Sequence, residues 1–284
     1  FGDKYTSYIA ASYVKFLESA GARVVPIWIS KERSYYENIL KSINGVVFPG
    51  GATFFTAKNG FADAGKIIYD IAVDMNTNGQ FLPLLGICLG YELLTYASAN
   101  GKEHRQDCDS KDISAPLLFK DDFRDSKMFA NLPGEIEKIL KTEAVTYNYH
   151  RYCITEQDMD DFDLKKDWKV LSVNKDINGL EHVSIIEHRS QPFYGLQFHP
   201  ERNAFEWSLA KSIEHSSNAV AASNYFAKFF VDEARKSLNK FPSPAEEARH
   251  LIYNFPVTYT GEISHSHWMQ CYLFTDDTDY NKPN

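Results

Sequence analysis

From residue 23 to residue 98, short apolar runs take turns with segments of helical periodicity, and this alternation restricts the fold more than any single residue does. Arg23–Ile29, Gly45–Phe48 and Phe81–Gly86 read as buried strands. Helical patterns at Tyr35–Ser42 and near Ala62–Met75 separate them, and a further helix starts at Cys88–Leu89. Strands linked through helices run parallel, and a sheet covered on both faces carries continuous apolar runs rather than alternating ones. Upstream, residues 7–20 place Ile9, Tyr13, Phe16, Leu17 and Ala20 at helical spacing, and Gly21 offers a stop. The expected class is α/β, a mostly parallel central sheet with helices on both faces.

The pattern changes after residue 100. Residues 100–126 are polar and charged and read as loop, with a short strand near Ile113–Phe119. Strands follow at Val145–Tyr149, Trp168–Asn174, His182–Glu187 and Phe193–Phe198, and Asn178-Gly179 is a hairpin turn signal between the second and third. Val220, Tyr225, Phe226, Phe229 and Phe230 mark an amphipathic helix. Ser243-Pro244-Ala245-Glu246 combines a cap residue, a first-turn proline and an acid three residues on, so a helix starts there. Trp268–Phe274 reads as a strand or packed tail. The division expected is a main domain over 1–240 and an extension over 241–284.

Charge and cysteine usage exclude several function classes. Thirty basic against 38 acidic residues give a net charge of -8 with no Lys/Arg cluster, which argues against a nucleic-acid or anionic-membrane partner. No apolar run reaches a bilayer-spanning length, and the chain does not open with a signal-peptide pattern. Cys88, Cys108, Cys153 and Cys271 form no CxxC pair, so zinc-site spacing is absent; one bridge among them stays open.

Three local motifs carry chemistry. The first is Leu84-Leu85-Gly86-Ile87-Cys88-Leu89-Gly90-Tyr91-Glu92, an apolar strand running through Gly-x-Cys-x-Gly into a helix. This is a nucleophile elbow with cysteine in place of serine. A thiol there lies at a helix N-terminus, which is expected to lower its pKa, and the N–H of Leu89 points at a developing oxyanion. Taken alone, the motif equally fits a buried cysteine in a glycine-rich turn. The second is Gly195-Leu196-Gln197-Phe198-His199-Pro200-Glu201, where His199 is a candidate base and Glu201 its orienting acid. The third is Phe48-Pro49-Gly50-Gly51, whose backbone N–H groups complete an oxyanion hole at Gly51 with Leu89.

In this order the motifs resemble the class I glutamine amidotransferase superfamily, and the finer resemblance is to the gamma-glutamyl hydrolase family. Tyr8–Pro26 is similar to that family's first helix, and Lys41-Ser42-Ile43-Asn44-Gly45, Phe229–Lys236, Leu251–Asn254 and Tyr259-Thr260-Gly261 also resemble it. The resemblance implies a cysteine hydrolase that cleaves folate poly-γ-glutamates through a Cys88–His199–Glu201 triad and an acyl-enzyme, with no metal or cofactor. It implies substrate contacts at Tyr13, Gly50, Glu92 and His150, a lysosomal or secreted setting, and a homodimer as the assembly it allows. Spacing alone makes Tyr13 a core residue, and Arg151 or Arg202 is the local basic group available to a polyanionic substrate. Segments 52–60 and 100–112 depart from the family. The family's central first strand, which precedes the Tyr8 helix, is missing from the sequence as given, so the native N-terminus is expected to lie upstream. A glutaminase-type amidotransferase subunit and a non-catalytic binding relative remain as alternatives.

Overall fold

The computed structural model describes residues 5–263 and 266–275. The chain opens with β1 (Ser7–Ala10) and α1 (Ala11–Ser19), then α2 (Arg33–Leu40), β2 (Val46–Phe48), α3 (Phe61–Thr77), β3 (Leu84–Ile87) and α4 (Leu89–Ser98). β4 (Gln106–Ala115), β5 (Leu118–Phe119), α5 (Gly134–Thr142), β6 (Thr146–Cys153) and α6 (Glu156–Asp161) form the middle. β7 (Trp168–Lys175), β8 (Glu181–His188), β9 (Phe193–Leu196), α7 (Arg202–Phe205) and α8 (Ser217–Ala234) follow, and α9 (Pro244–His250), β10 (Val257–Tyr259) and β11 (Gln270–Phe274) close it.

Six strands build the central sheet in the order β2-β3-β9-β8-β7-β5. β2, β3 and β9 are mutually parallel, and this half carries the elbow. The other half is antiparallel, as the hairpin signal at Asn178-Gly179 requires. Alternate residues of one strand serve opposite faces: Leu84 packs with α2, α3 and α4, whereas Leu85 and Ile87 pack with α1, α5 and α8. Helices therefore cover both faces, and β3 is apolar throughout because neither face meets water.

Three expectations need correction. Ser7–Ala10 is a strand rather than the first turn of a helix, because its backbone pairs antiparallel with β11, Tyr8 opposite Leu273; tertiary pairing overrides local helical periodicity here. Arg23–Ile29 is extended but joins no ladder. Pro26 lacks an N–H, and the Trp28 N–H is satisfied by the Tyr35 hydroxyl at 3.1 Å. No described strand lies between this segment and β2, and a cavity of about 590 Å³ opens there, lined by Val24, Val25, Ile27, Val46, Val47 and Phe230 among others. Finally, residues 106–115 are a ten-residue strand, not loop: β4 pairs with β6, and a Cys108–Cys153 disulfide ties the two together. Polar residues made the strand hard to see, because β4, unlike its mostly buried partner β6, is only half-buried.

Residues 241–284 contribute α9, capped by Ser243 Oγ accepting the Glu246 N–H at 3.2 Å, and β11, which lies between β1 and β10. Trp268, just before β11, is buried against Tyr13 with ring centroids 5.7 Å apart. No described helix is long and apolar enough to cross a membrane.

Candidate active site

β3 delivers Cys88 into a conformation most residues avoid, φ 52° and ψ −111°, and α4 begins at the next residue. Both flanking glycines are forced by crowding. A Cβ on Gly86 would lie 2.3 Å from the Gly90 carbonyl oxygen, and one on Gly90 would lie 2.0 Å from the Phe48 carbonyl oxygen. The elbow is locked to its neighbours by the Cys88 N–H, which donates to the Leu196 carbonyl at 2.8 Å. From Leu196 the chain runs on to His199, whose own N–H donates to Tyr147 at 2.8 Å.

Gly50 lies against both the candidate nucleophile and the candidate base. A Cβ there would come within 2.8 Å of His199 Cε1, 3.2 Å of Cys88 Cβ and 2.5 Å of Tyr13 Oη. Ring, thiol carbon and phenol thus surround one backbone atom. The Gly50 N–H donates to Tyr13 Oη at 2.9 Å, and the same oxygen lies 3.2 Å from His199 Nδ1. Glu201 Oε1 is 2.8 Å from that nitrogen. A carboxylate at Nδ1 holds the proton there and leaves Nε2 as the ring's acceptor. Gly51 sits beside Leu89, its added Cβ meeting Leu89 Cδ2 at an ordinary 3.5 Å. The Leu89 N–H points at the Cys88 thiol.

Electrostatics reverse one expectation. The elbow was expected to lower the thiol pKa, yet burial first and the Glu92 charge second push the Cys88 thiol well up; Arg202 and the Leu89 N–H only oppose this. Cys88 is 4% exposed, so the cost of burying a thiolate outweighs the helix N-terminus. Burial likewise holds His199 below the usual histidine range, helped by Arg202 and opposed by Glu201. Burial, then Glu201, raises Tyr13 well above the usual phenol range, so it stays protonated.

The remaining sequence candidates, Glu92 and His150, are both buried and hydrogen-bonded to protein groups. Glu92 is buried, accepting from Arg105 Nη1 at 2.7 Å and Gln197 Nε2 at 3.2 Å, so its carboxylate is already engaged by protein groups. The Arg105 guanidinium in turn lies 4.0 Å from the Phe55 ring centroid. His150 lies within β6 and is buried, not exposed at a strand end. Its Nε2 lies 3.2 Å from Asn148 Oδ1, and its Nδ1 is 3.0 Å from the Tyr152 carbonyl oxygen and 3.6 Å from both disulfide sulfurs. Burial, then His182, pushes its pKa down to about 3. Arg151 is exposed, whereas Arg202 is 2% exposed beneath the Trp268 ring. Arg105 and the pairing of Cys108 escaped the sequence reading because both residues lie in the segment that resembled loop.

Residues 1–201 match the family model described as Peptidase C26. The gamma-glutamyl hydrolase of Bos taurus is 40% identical over 268 residues, covering 94% of this chain and 83% of the bovine one. That of Homo sapiens is equally similar, 40% over 268 residues with coverage of 94% and 83%. Gamma-glutamyl hydrolase B of Dictyostelium discoideum is 36% identical over 283 residues, covering 99% and 80%. Among solved structures, a glutamine amido transferase from Methylobacillus flagellatus superposes with a TM-score of 0.44 at 13% identity, covering 86% of this chain and 95% of that one. With a family match over most of its length and 40% identity to these curated hydrolases, this chain is a member of the peptidase C26 family.

Proposed function

We propose that the chain is a gamma-glutamyl hydrolase acting on folate poly-γ-glutamates, with Cys88 as nucleophile, His199 as base and Glu201 as its orienting acid. The observation that carries this reading is the packing of both Cys88 and His199 against Gly50, with Glu201 on Nδ1 of the ring. The opposed pKa shifts make the resting pair a thiol and a neutral imidazole. Substrate binding then brings a carbonyl to the sulfur. His199 Nε2 takes the thiol proton as the C–S bond forms, and the Leu89 and Gly51 N–H groups receive the oxyanion. The imidazolium returns that proton to the leaving amine, and water activated by the same ring releases the γ-glutamyl group.

Tyr13 holds Gly50 in place and Glu92 braces the first turn of α4, with His150 as a buried support within the β4–β6 ribbon. Residues 1–240 form the hydrolase domain in this reading, and the extension over 241–284 completes it through the β1–β11 pairing and the Trp268 contact with Tyr13. The Cys108–Cys153 disulfide supports a secretory or lysosomal setting, since such bridges persist in oxidising compartments.

The test is hydrolysis of pteroyl-poly-γ-glutamate beside free glutamine, with wild type and Cys88→Ala. Release of glutamate from the polyglutamate alone, abolished in the variant, is the expected result. Preferential turnover of free glutamine would favour the glutaminase alternative, and turnover of neither would overturn the assignment.

A further inference from the structure

Arg202 takes no part in the proposed reaction steps, yet it is among the most deeply buried charges of the described residues, 2% exposed at the start of α7. Its guanidinium carbon lies 4.3 Å from the Trp268 ring centroid, 5.3 Å from Tyr147 and 5.5 Å from Tyr149. Nε and Nη1 have no hydrogen-bond partner among the described residues. Each unmade bond of this kind is destabilising, and a buried charge without compensation more so. Three aromatic faces supply part of the compensation. The rest points one way: Nε is 3.8 Å from Glu201 Oε1, and Glu201, fully buried, has no partner on Oε2 among the described residues.

We propose that Arg202 is a positioning residue of the hydrolytic site: its caged guanidinium is the fixed counter-charge of Glu201 and through it sets the charge on His199. This rests on the reading of His199 as the base. The other titratable groups that feel the guanidinium are Cys88, His199, Glu206, Tyr8, Tyr13 and Tyr147. Burial pushes the Glu206 carboxyl up, and it accepts the Met269 N–H at 2.8 Å, so it does not compete as the partner. All three tyrosines are raised by burial and stay neutral. A cation beside the Glu201–His199 pair disfavours the imidazolium and favours the thiolate. Removing it raises the His199 pKa and takes away a cation that favours the thiolate, so while the ring is neutral Cys88 ionises at higher pH.

The experiment follows alkylation of Cys88 by iodoacetamide against pH in wild type, Arg202→Lys, Arg202→Met and the double variant Glu201→Gln/Arg202→Met, with γ-glutamyl hydrolysis in parallel. Arg202→Met should move the alkylation profile to higher pH by about one unit or more, the size of a close charge's effect. Its kcat/KM should fall about 10–100-fold at neutral pH, as for other groups that orient a reacting residue. Arg202→Lys should keep the wild-type profile, and removing both charges should bring the profile back toward wild type. An unmoved profile in Arg202→Met, or a double variant displaced as far as the single one, would overturn the proposal. If Arg202→Met does not fold, a folded double variant supports the counter-charge and an unfolded one assigns Arg202 to packing. The alkylation arm needs no γ-glutamyl substrate. Wild type that alkylates normally but hydrolyses nothing would therefore sink the proposed activity while this test still stands.

Discussion

Substituting Gly50 by alanine places one methyl group against both the candidate nucleophile and its candidate base. The new carbon would meet Tyr13 Oη at 2.5 Å, His199 Cε1 at 2.8 Å and Cys88 Cβ at 3.2 Å. Ordinary contact begins near 3.4 Å, so phenol and imidazole both have to retreat by several tenths of an ångström. Neither ring is free to do so: His199 is held at Nδ1 by Glu201, and Tyr13 packs on Trp268. Overpacking of this sort costs about 1–3 kcal/mol of stability. Misplacing a reacting group by up to 1 Å costs about 100-fold in rate, equivalent to about 2.7 kcal/mol of activation free energy. Gly50→Ala should therefore fold with a lowered Tm, lose about 100-fold in kcat/KM for γ-glutamyl hydrolysis, and alkylate more slowly at Cys88. Gly51→Ala is the comparison, since its Cβ meets only Leu89 Cδ2, at 3.5 Å, and its loss should stay below about 10-fold. A Gly50→Ala enzyme within about 3-fold of wild type would refute the argument that the space beside this glycine must stay empty for thiol and imidazole to react.

Two further outcomes follow from the supports around the site. The Cys108–Cys153 bridge spans 45 residues, and closing a loop of that length stabilises by about 4 kcal/mol in the chain-entropy model; Cys108→Ala/Cys153→Ala should lower the urea midpoint accordingly, and an unchanged midpoint contradicts a structural role. His150 has a folded pKa depressed to about 3 from 6.5, so its contribution is fully present above pH 6.5 and is lost as pH falls toward 3. Between those values His150→Asn should show a stability slope shallower by about 1.4 kcal/mol per pH unit, measured by urea unfolding at several pH values; parallel slopes would mean the wild-type ring is protonated in the folded state.

Where burial is two-sided, the sequence was easy to read. β3 is apolar at every position because both faces are covered, and the elbow motif announces itself because Gly86 and Gly90 admit no side chain. The Ser243 cap and the hairpin at Asn178-Gly179 are local devices, visible in a few residues. Non-local pairing was harder to see. β1 exists because β11, more than 260 residues away, lies beside it, and no window of sequence around Tyr8 contains that partner. β4 hides among Gln106, Asp107, Asp109, Ser110 and Lys111 because the strand itself is only half-buried, and the disulfide that ties it to β6 pairs cysteines that sequence leaves unpaired. Of the site, Cys88, His199 and Glu201 were legible as residue types at strand ends. The direction of the thiol's pKa was not, because desolvation depends on how the whole core closes over it.

The most direct test of the account is to catch the covalent intermediate. Wild type mixed with a γ-glutamyl substrate, quenched in acid during turnover and digested, should yield the Cys88 peptide carrying one γ-glutamyl group by mass spectrometry. The adduct should be missing from Cys88→Ala, which should fold normally and release no glutamate. Sustained hydrolysis by Cys88→Ala, or an adduct on any other residue, would contradict the assignment of Cys88 as the nucleophile.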